Sequence, residues 1–406
     1  MQQNNQTRGG QSRAFNRLAM AFSLLGLLLT LGSCEGFFGK KVDPSFIDVP
    51  VFNDRQVAYV PIQPVWDGFA LPEDIVVGYD ELIYIVDGGT EEIISYDQAG
   101  NELGRFRLPG VKEVVQDRSL DLLAIGTFDT LGYSLPTIYR IDMKGGGSYG
   151  LGNAEIVGKS VHPFYYKVNF DPGNDDLVSL NGIALKANNE YFVARSGPGS
   201  SQIFGPDDAM LVFNANDEFL STIRVSTNGG VFDDYFRTPV AVVGVAQPPQ
   251  SPSVNAGGDF IFASGDAATQ LKVQYIEVNE SENGIDYTVR SMIVGDTSKA
   301  DDFLLRPGRF GLPVDVAYTG DGTNYIFVVD SEKDSLYQFT STGLEGVEPP
   351  PGSNSSKNLL ASFGGRGTSL TEFNQPSAVA YYRQILYVAD RGNQRILRFR
   401  LTTDFD

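Results

Sequence analysis

The sequence predicts an all-β fold: a six-bladed β-propeller over residues 51–406, closed by an N-terminal strand that completes the last blade. Three observations lead there. The chain carries 19 tyrosines, 27 phenylalanines and 45 glycines, and no long stretch repeats apolar residues at the helical period. One pattern recurs along it, and self-similarity at a period of about 20–50 residues marks stacked or circular repeats. A lone strand precedes the first repeat, while the last repeat is one strand short.

The N-terminus comes first. Residues 1–17 are polar and carry Arg8, Arg13 and Arg17 without an acid, and residues 18–31 are apolar-rich. A basic region, a short apolar run and small residues ahead of a cut describe a secretory signal. Fourteen residues make a helix of about 21 Å at about 1.5 Å per residue, short of a hydrocarbon core of about 30 Å. The next residues are Leu31-Gly32-Ser33-Cys34, and Cys34 is the only cysteine. Residues 34–50 are expected to form a tether, with Phe37-Phe38 and Lys40-Lys41 suited to a lipid interface. Removing residues 1–33 removes three arginines and no acids, which moves the formal charge from −19 to −22. Such a balance speaks against nucleic acid as a partner.

The strand near Gln56–Val60 should add to the last unit as its outer strand. Three repeat copies align well. They begin at Leu71 (LPEDIVVGYDELIYIVDGG), Leu312 (LPVDVAYTGDGTNYIFVVD) and Gln375 (QPSAVAYYRQILYVAD). Each opens on a proline (Pro72, Pro313, Pro376), and its second strand ends in aspartate (Asp87, Asp330, Asp390). Six residues past each aspartate an aliphatic residue starts a third strand: Ile93, Leu336 and Ile396. Asp390 and Asn393 bracket a turn in which short polar side chains bond the backbone. Weaker copies begin at Val111, Leu180 and Thr238. Loop insertions are expected at 143–175, 197–208, 223–237, 245–257 and 344–372.

The last copy resembles an NHL repeat through Pro376, Tyr387-Val388-Ala389-Asp390, Asn393, Arg395 and Ile396. That resemblance implies a six-bladed propeller of the NHL/TolB-like kind. Leu31–Cys34 resembles the bacterial lipobox, which implies a diacylglyceryl group on Cys34 and cleavage before it. The combination looks like envelope lipoproteins of Bacteroidota-type bacteria. It implies an exported chain anchored by lipid, at the outer membrane, that binds an envelope protein complex or a glycan.

Chemistry is sparse. His162 is the only histidine, which excludes multi-histidine zinc sites within one chain. It is expected in an exposed loop or an aromatic cluster. The residue two past each opening proline should face the channel. The aligned positions hold Asp74, Glu113, Gly182, Ala241, Asp315 and Ala378. Asp74, Glu113 and Asp315 could offer oxygen ligands to Ca2+ or Mg2+ in the channel mouth, or bond backbone amides of the neighbouring blade. Asn181-Gly182 resembles the Asn-Gly strand of gluconolactonase/regucalcin propellers, which implies a divalent-metal role for Asn181 and a hydrolase or lyase as the alternative function. The other ligand positions of that family fall on Ala70 and Val240, which cannot coordinate. Amidating-lyase and virginiamycin-lyase propellers rely on histidines, and His162 lies in no matching motif. Asp171, Asn174, Asp175 and Asp176 fit turn chemistry. Arg383, Arg391, Arg395, Arg398 and Arg400 suggest a locally basic face on the last blade, with strand alternation putting some of them between blades. The reading favoured is a non-catalytic, lipid-anchored binding or scaffold module.

Overall fold

The computed structural model describes residues 57–130, 132–163, 171, 173–199, 206–246, 258–282, 284–349 and 355–404. The signal segment, Cys34, the tether and residues 51–56 lie outside the described residues.

Six sheets form the blades, antiparallel throughout except where Val225–Thr227 joins Gly284–Val289 in parallel. Blade 1 holds strands Pro72–Val77, Ile83–Asp87, Glu92–Tyr96 and Glu102–Arg107. Blade 2 holds Glu113–Gln116, Leu122–Thr130, Tyr133–Asp142 and Glu155–Val161. Blade 3 holds Ser179–Leu185, Tyr191–Ser196, Ala209–Phe213 and Phe219–Thr222. Blade 4 holds Pro239–Gly244, Phe260–Ser264, Val273–Ser281 and Gly284–Val289. It is widened at its outer edge by Val225–Thr227 and Gly230–Phe232. Blade 5 holds Pro313–Tyr318, Ile326–Asp330, Ser335–Phe339 and Phe363–Gly364. Blade 6 holds Ala378–Tyr382, Ile385–Asp390 and Arg395–Leu401, and Tyr59–Asp67 is its fourth strand.

The first strands of the blades adjoin in cyclic order and line a central channel. The second strands are buried along their whole length in blades 1, 4 and 5. Both faces of a blade need covering, and the neighbours supply it. The core accordingly holds six large apolar clusters, one between each adjacent pair of blades, and a small seventh of Ala300, Phe303 and Leu344.

Ring closure follows the expected logic with a different register. The closing strand is Tyr59–Asp67, C-terminal to the span read from the sequence, and pairs from Tyr59↔Leu401 to Asp67↔Arg395. It contains Pro61 and Pro64, which hid its strand character. Proline lacks a ladder N–H and is tolerated on an edge strand such as this one. Trp66 stacks on Tyr96 of blade 1 and contacts Tyr387 of blade 6, with ring centroids 5.2 and 5.9 Å away. The Arg398 guanidinium lies 4.6 Å from the Trp66 ring and donates to the Pro64 carbonyl at 2.8 Å.

Three expectations need correction. Segments 143–175, 223–237 and 344–372 are not merely inserted loops, because each contributes outer strands. His162 is buried rather than in an exposed loop. Its Nε2 lies 3.0 Å from Asp175 Oδ1, and burial lowers its pKa to about 4. Asp175 also accepts the Asp171 N–H, so it serves a buried pair as well as a turn. The arginines of blade 6 do not make one basic face. Arg395 binds Asp390 and the carbonyls of Thr368 and Ser369, Arg398 clasps the closing strand, and Arg400 donates to Gln384.

Candidate functional site

The channel entrance is built by a repeated irregularity. In blades 1, 3, 4 and 5 the register of the first strand skips one residue: Glu73, Asn181, Val240 and Val314. In blade 2 the Lys112 N–H bonds the Ile125 carbonyl, although Glu113 already faces Ile125. In blade 6 the Ser377 N–H bonds the Ala389 carbonyl, although Ala378 faces Ala389. These are β-bulges, which set two residues against one and re-aim a side chain. Five of the six bulged residues (Glu73, Lys112, Asn181, Val314 and Ser377) line a cup of about 390 Å3 at this mouth.

The next residue of each strand forms the throat. Asp74, Glu113 and Asp315 converge there, between the cup and a narrow shaft of about 60 Å3. Their oxygens are already engaged. Asp74 accepts the N–H of Ile75 at 2.7 Å and of Val114, in the next blade, at 2.9 Å. Asp315 does the same with Val316 and with Val379 of the next blade, both at 2.7 Å. Glu113 accepts the Ile183 N–H of blade 3. The carboxylates thus satisfy inner-strand amides that have no ladder partner, as such buried donors require. Blade 3 has Gly182 at this level for a steric reason. A Cβ there would stand 3.0 Å from the Val242 nitrogen and 3.2 Å from the Ala241 Cα.

Burial disfavours the charged form of all three carboxyls. It lifts Asp74 to about 7 against the N–H bonds that oppose the shift, and holds Glu113 and Asp315 well above the usual carboxylate range. A carboxyl raised on folding adds stability at low pH that is lost as pH rises through its folded value. His162, lowered on folding, acts in the opposite sense and withdraws stability as pH falls from its ordinary value toward 4. Asp74→Asn isolates the first effect. The variant is expected to be less stable than wild type by about 1–3 kcal/mol at pH 5, because one buried N–H loses its acceptor. The deficit should shrink by pH 8, where wild type must ionise Asp74. Urea midpoints at the two pH values check this, and an equal deficit at both would show that Asp74 does not titrate between them.

Asn181 sits in the cup, one layer above the throat. Its amide donates to Ser196 Oγ at 2.7 Å and to the Pro239 carbonyl at 2.9 Å, and its oxygen accepts from Ser179 Oγ at 2.7 Å. Those bonds tie blade 3 to blade 4. Among the described residues no group of three or more His, Cys, Asp or Glu is arranged to hold a metal ion. The oxygens of Asp74, Glu113, Asn181 and Asp315, the residues expected to offer ligands to Ca2+, already accept protein hydrogen bonds.

The cup has one charged wall, contributed by blades 6, 1 and 2. Arg391 lies 3.7 Å from Glu73, and Lys112 Nζ lies 3.5 Å from Ser179 Oγ. Burial raises the Glu73 pKa, and Arg391 and Lys112 oppose it. Leu312 and Val314 supply an apolar wall opposite. At the far mouth Tyr79 of blade 1 reaches across to the Ala246 carbonyl of blade 4, its opposite in the ring, at 3.1 Å. Arg118 stacks over the Tyr79 ring at 5.0 Å. Glu73, Lys112 and Tyr79 escaped the sequence reading. The first two stand immediately before aligned carboxylates, and only the bulge turns them into the cup.

The chain is a six-bladed β-propeller. No family model matches it, and no curated protein matches it. Among solved structures it is similar to a protein of unknown function from Bacteroides thetaiotaomicron (13% identity, 86% of this chain and 76% of that one, TM-score 0.48). It is also similar to a gluconolactonase-like protein (12% identity, 89% and 97%, TM-score 0.49). A third is an auxiliary nutrient binding protein from Bacteroides thetaiotaomicron (11% identity, 82% and 70%, TM-score 0.49). These likenesses concern the fold.

Proposed function

We propose that this chain is an exported, lipid-anchored propeller of the cell envelope, held at the outer membrane through Cys34, that binds a glycan or a protein partner at its cup without transforming it. The observation that carries the reading is the ring of bulges. Six blades of different sequence all carry a bulge at one mouth, five of the bulged residues line the cup, and the residues gathered there offer charges, amides and apolar surface. A concave site with a few convergent polar groups supports the reading of a binding site. The alternative, a divalent-metal-dependent hydrolase or lyase, has weaker support. Asn181 and the throat carboxylates spend their oxygens on the protein's own hydrogen bonds.

Two measurements test the proposal. Cys34→Ala should move the protein from the detergent phase to the aqueous phase, because each acyl CH2 buried in lipid contributes about 0.8 kcal/mol. Retention in the detergent phase would sink the anchor. Crosslinking in intact cells, followed by capture from detergent, should recover envelope partners with wild type and lose them with Val314→Trp, which fills the cup. Equal recovery from both would remove the cup as the binding site.

A further inference from the structure

Hydrogen-bond donors in the cup are unevenly used. Arg391 has five N–H donors, and its one polar contact among the described residues, to Glu73 at 3.7 Å, is too long for a hydrogen bond. Its Nε is buried without a partner. Lys112 has three donors and a single contact at 3.5 Å. Arg395, four residues from Arg391, is by contrast saturated by Asp390 and three carbonyls. Two under-bonded cations therefore bracket one carboxylate in an otherwise acidic chain. Glu73, Lys112 and Arg391 together carry one net positive charge, and burial favours the neutral form of the throat carboxyls Asp74, Glu113 and Asp315 below them, which suits a monoanion, while Glu73 between the cations disfavours a dianion. The side chains of Ser331 and Gln375, also in the cup, make no hydrogen bond within the described residues, and the Glu73 carboxylate can accept further hydroxyls. The ligand thus needs one carboxylate and several hydroxyls.

Size and access narrow it further. Small-molecule pockets span about 300–1,000 Å3, so this cup, at about 390 Å3, suits one sugar residue with the start of its neighbour. The Tyr79 bar prevents threading from the far mouth. An elongated ligand can offer only its end.

We propose that the cup recognises a sugar acid, either free or as the terminal residue of a glycan, with its carboxylate held by Lys112 and Arg391 and its hydroxyls by Glu73, Ser331 and Gln375. This rests on the reading of the cup as a binding site. The anion sits on charge-assisted donors, the stronger class of hydrogen bond. The hydroxyls separate this ligand from a fatty acid, for which Leu312, Val314, Pro376 and Ala378 offer only a short apolar surface.

Titration calorimetry of the full chain in detergent tests the ligand class with four probes: D-glucuronate, methyl β-D-glucuronide, D-glucose and cyclohexanecarboxylate. Glucuronate or its glycoside should bind at least about tenfold more tightly than the last two, a difference worth about 1.4 kcal/mol. Binding of the glycoside as tight as that of the free acid assigns a glycan end; binding of the free acid alone assigns the monosaccharide. Lys112→Gln and Arg391→Gln should each weaken binding about tenfold and leave the melting temperature within a few degrees, since neither side chain makes a short bond to the protein. Glu73→Gln should tighten carboxylate binding, a sign that general damage to the fold would not produce. No saturation at about 10 mM, equal binding of glucose, or unchanged affinity in both cation variants would overturn the sugar acid. Should Val314→Trp still abolish partner capture, that failure belongs to the ligand class alone. Should capture also survive Val314→Trp, the binding reading itself falls.

Discussion

A chain lacking residues 59–67 is expected to lose its cooperative melt and to aggregate. The strand is nine residues long and deeply buried near both ends: Tyr59 is 7% exposed and Trp66 5%. Buried aromatics remove about 150–250 Å2 each from water, at about 25 cal/mol per Å2. Two of them contribute roughly 8–12 kcal/mol, as much as the whole net stability of a domain, about 5–15 kcal/mol. The deletion also bares the Arg395–Leu401 strand as an open edge, which recruits other chains. It unpairs Arg398 from the Pro64 carbonyl and from the Trp66 ring as well. Trp66→Ala is the graded form, with an expected loss of about 3–5 kcal/mol. Circular dichroism melts check both. A deletion variant that melts like wild type would mean that the ring closes without this strand.

The repeat was legible because the second strands of blades 1, 4 and 5 are buried along their whole length and leave continuous apolar runs. The aspartate spacing survived for a related reason. Asp87, Asp330 and Asp390 are all buried and accept backbone amides of the incoming strand, so a different residue would leave donors unpaired. The outer strands carry no such signal. Glu155–Val161 is mostly exposed or half-buried, and a strand wetted on both faces has no alternation to read. Tyr59–Asp67 was displaced in the reading by its two prolines.

The site was legible by half. Aligning the units brought Asp74, Glu113 and Asp315 to one level, and the structure places them together at the throat. Their task, bonding the next blade's amide, was one of the two alternatives the residues allowed. Glu73, Lys112 and Arg391 were not legible as a group. A β-bulge has no residue signature in these strands, and one extra residue reverses which side chain faces the lumen. Arg391 arrives from the turn after Asp390, in another blade, so only the closed ring sets it beside Glu73.

The largest single-residue loss is expected at Asp330. Its Oδ2 accepts the Gly311 N–H at 2.6 Å. Its Oδ1 accepts from Leu312 at 3.0 Å, Glu332 at 3.1 Å and Lys333 at 3.2 Å, and the residue is fully buried. Asp330→Ala leaves four backbone donors without an acceptor. Each orphaned buried donor costs about 1–3 kcal/mol, and neighbours sharing one acceptor do not add in full, so the expected loss is about 4–5 kcal/mol. Asp330→Asn keeps one acceptor oxygen and turns an NH2 toward Gly311, which predicts a loss of roughly half that. Urea unfolding of the two variants reads the difference. The same bonds fix Leu312 on the cup wall, and Asp330 precedes Ser331 at its rim. Ligand affinity should therefore fall in Asp330→Asn even at temperatures where the variant is fully folded. A folded Asp330→Asn protein with wild-type affinity would separate the two roles. The aspartate would then hold only the fold, and the cup would owe its shape to the bulges alone.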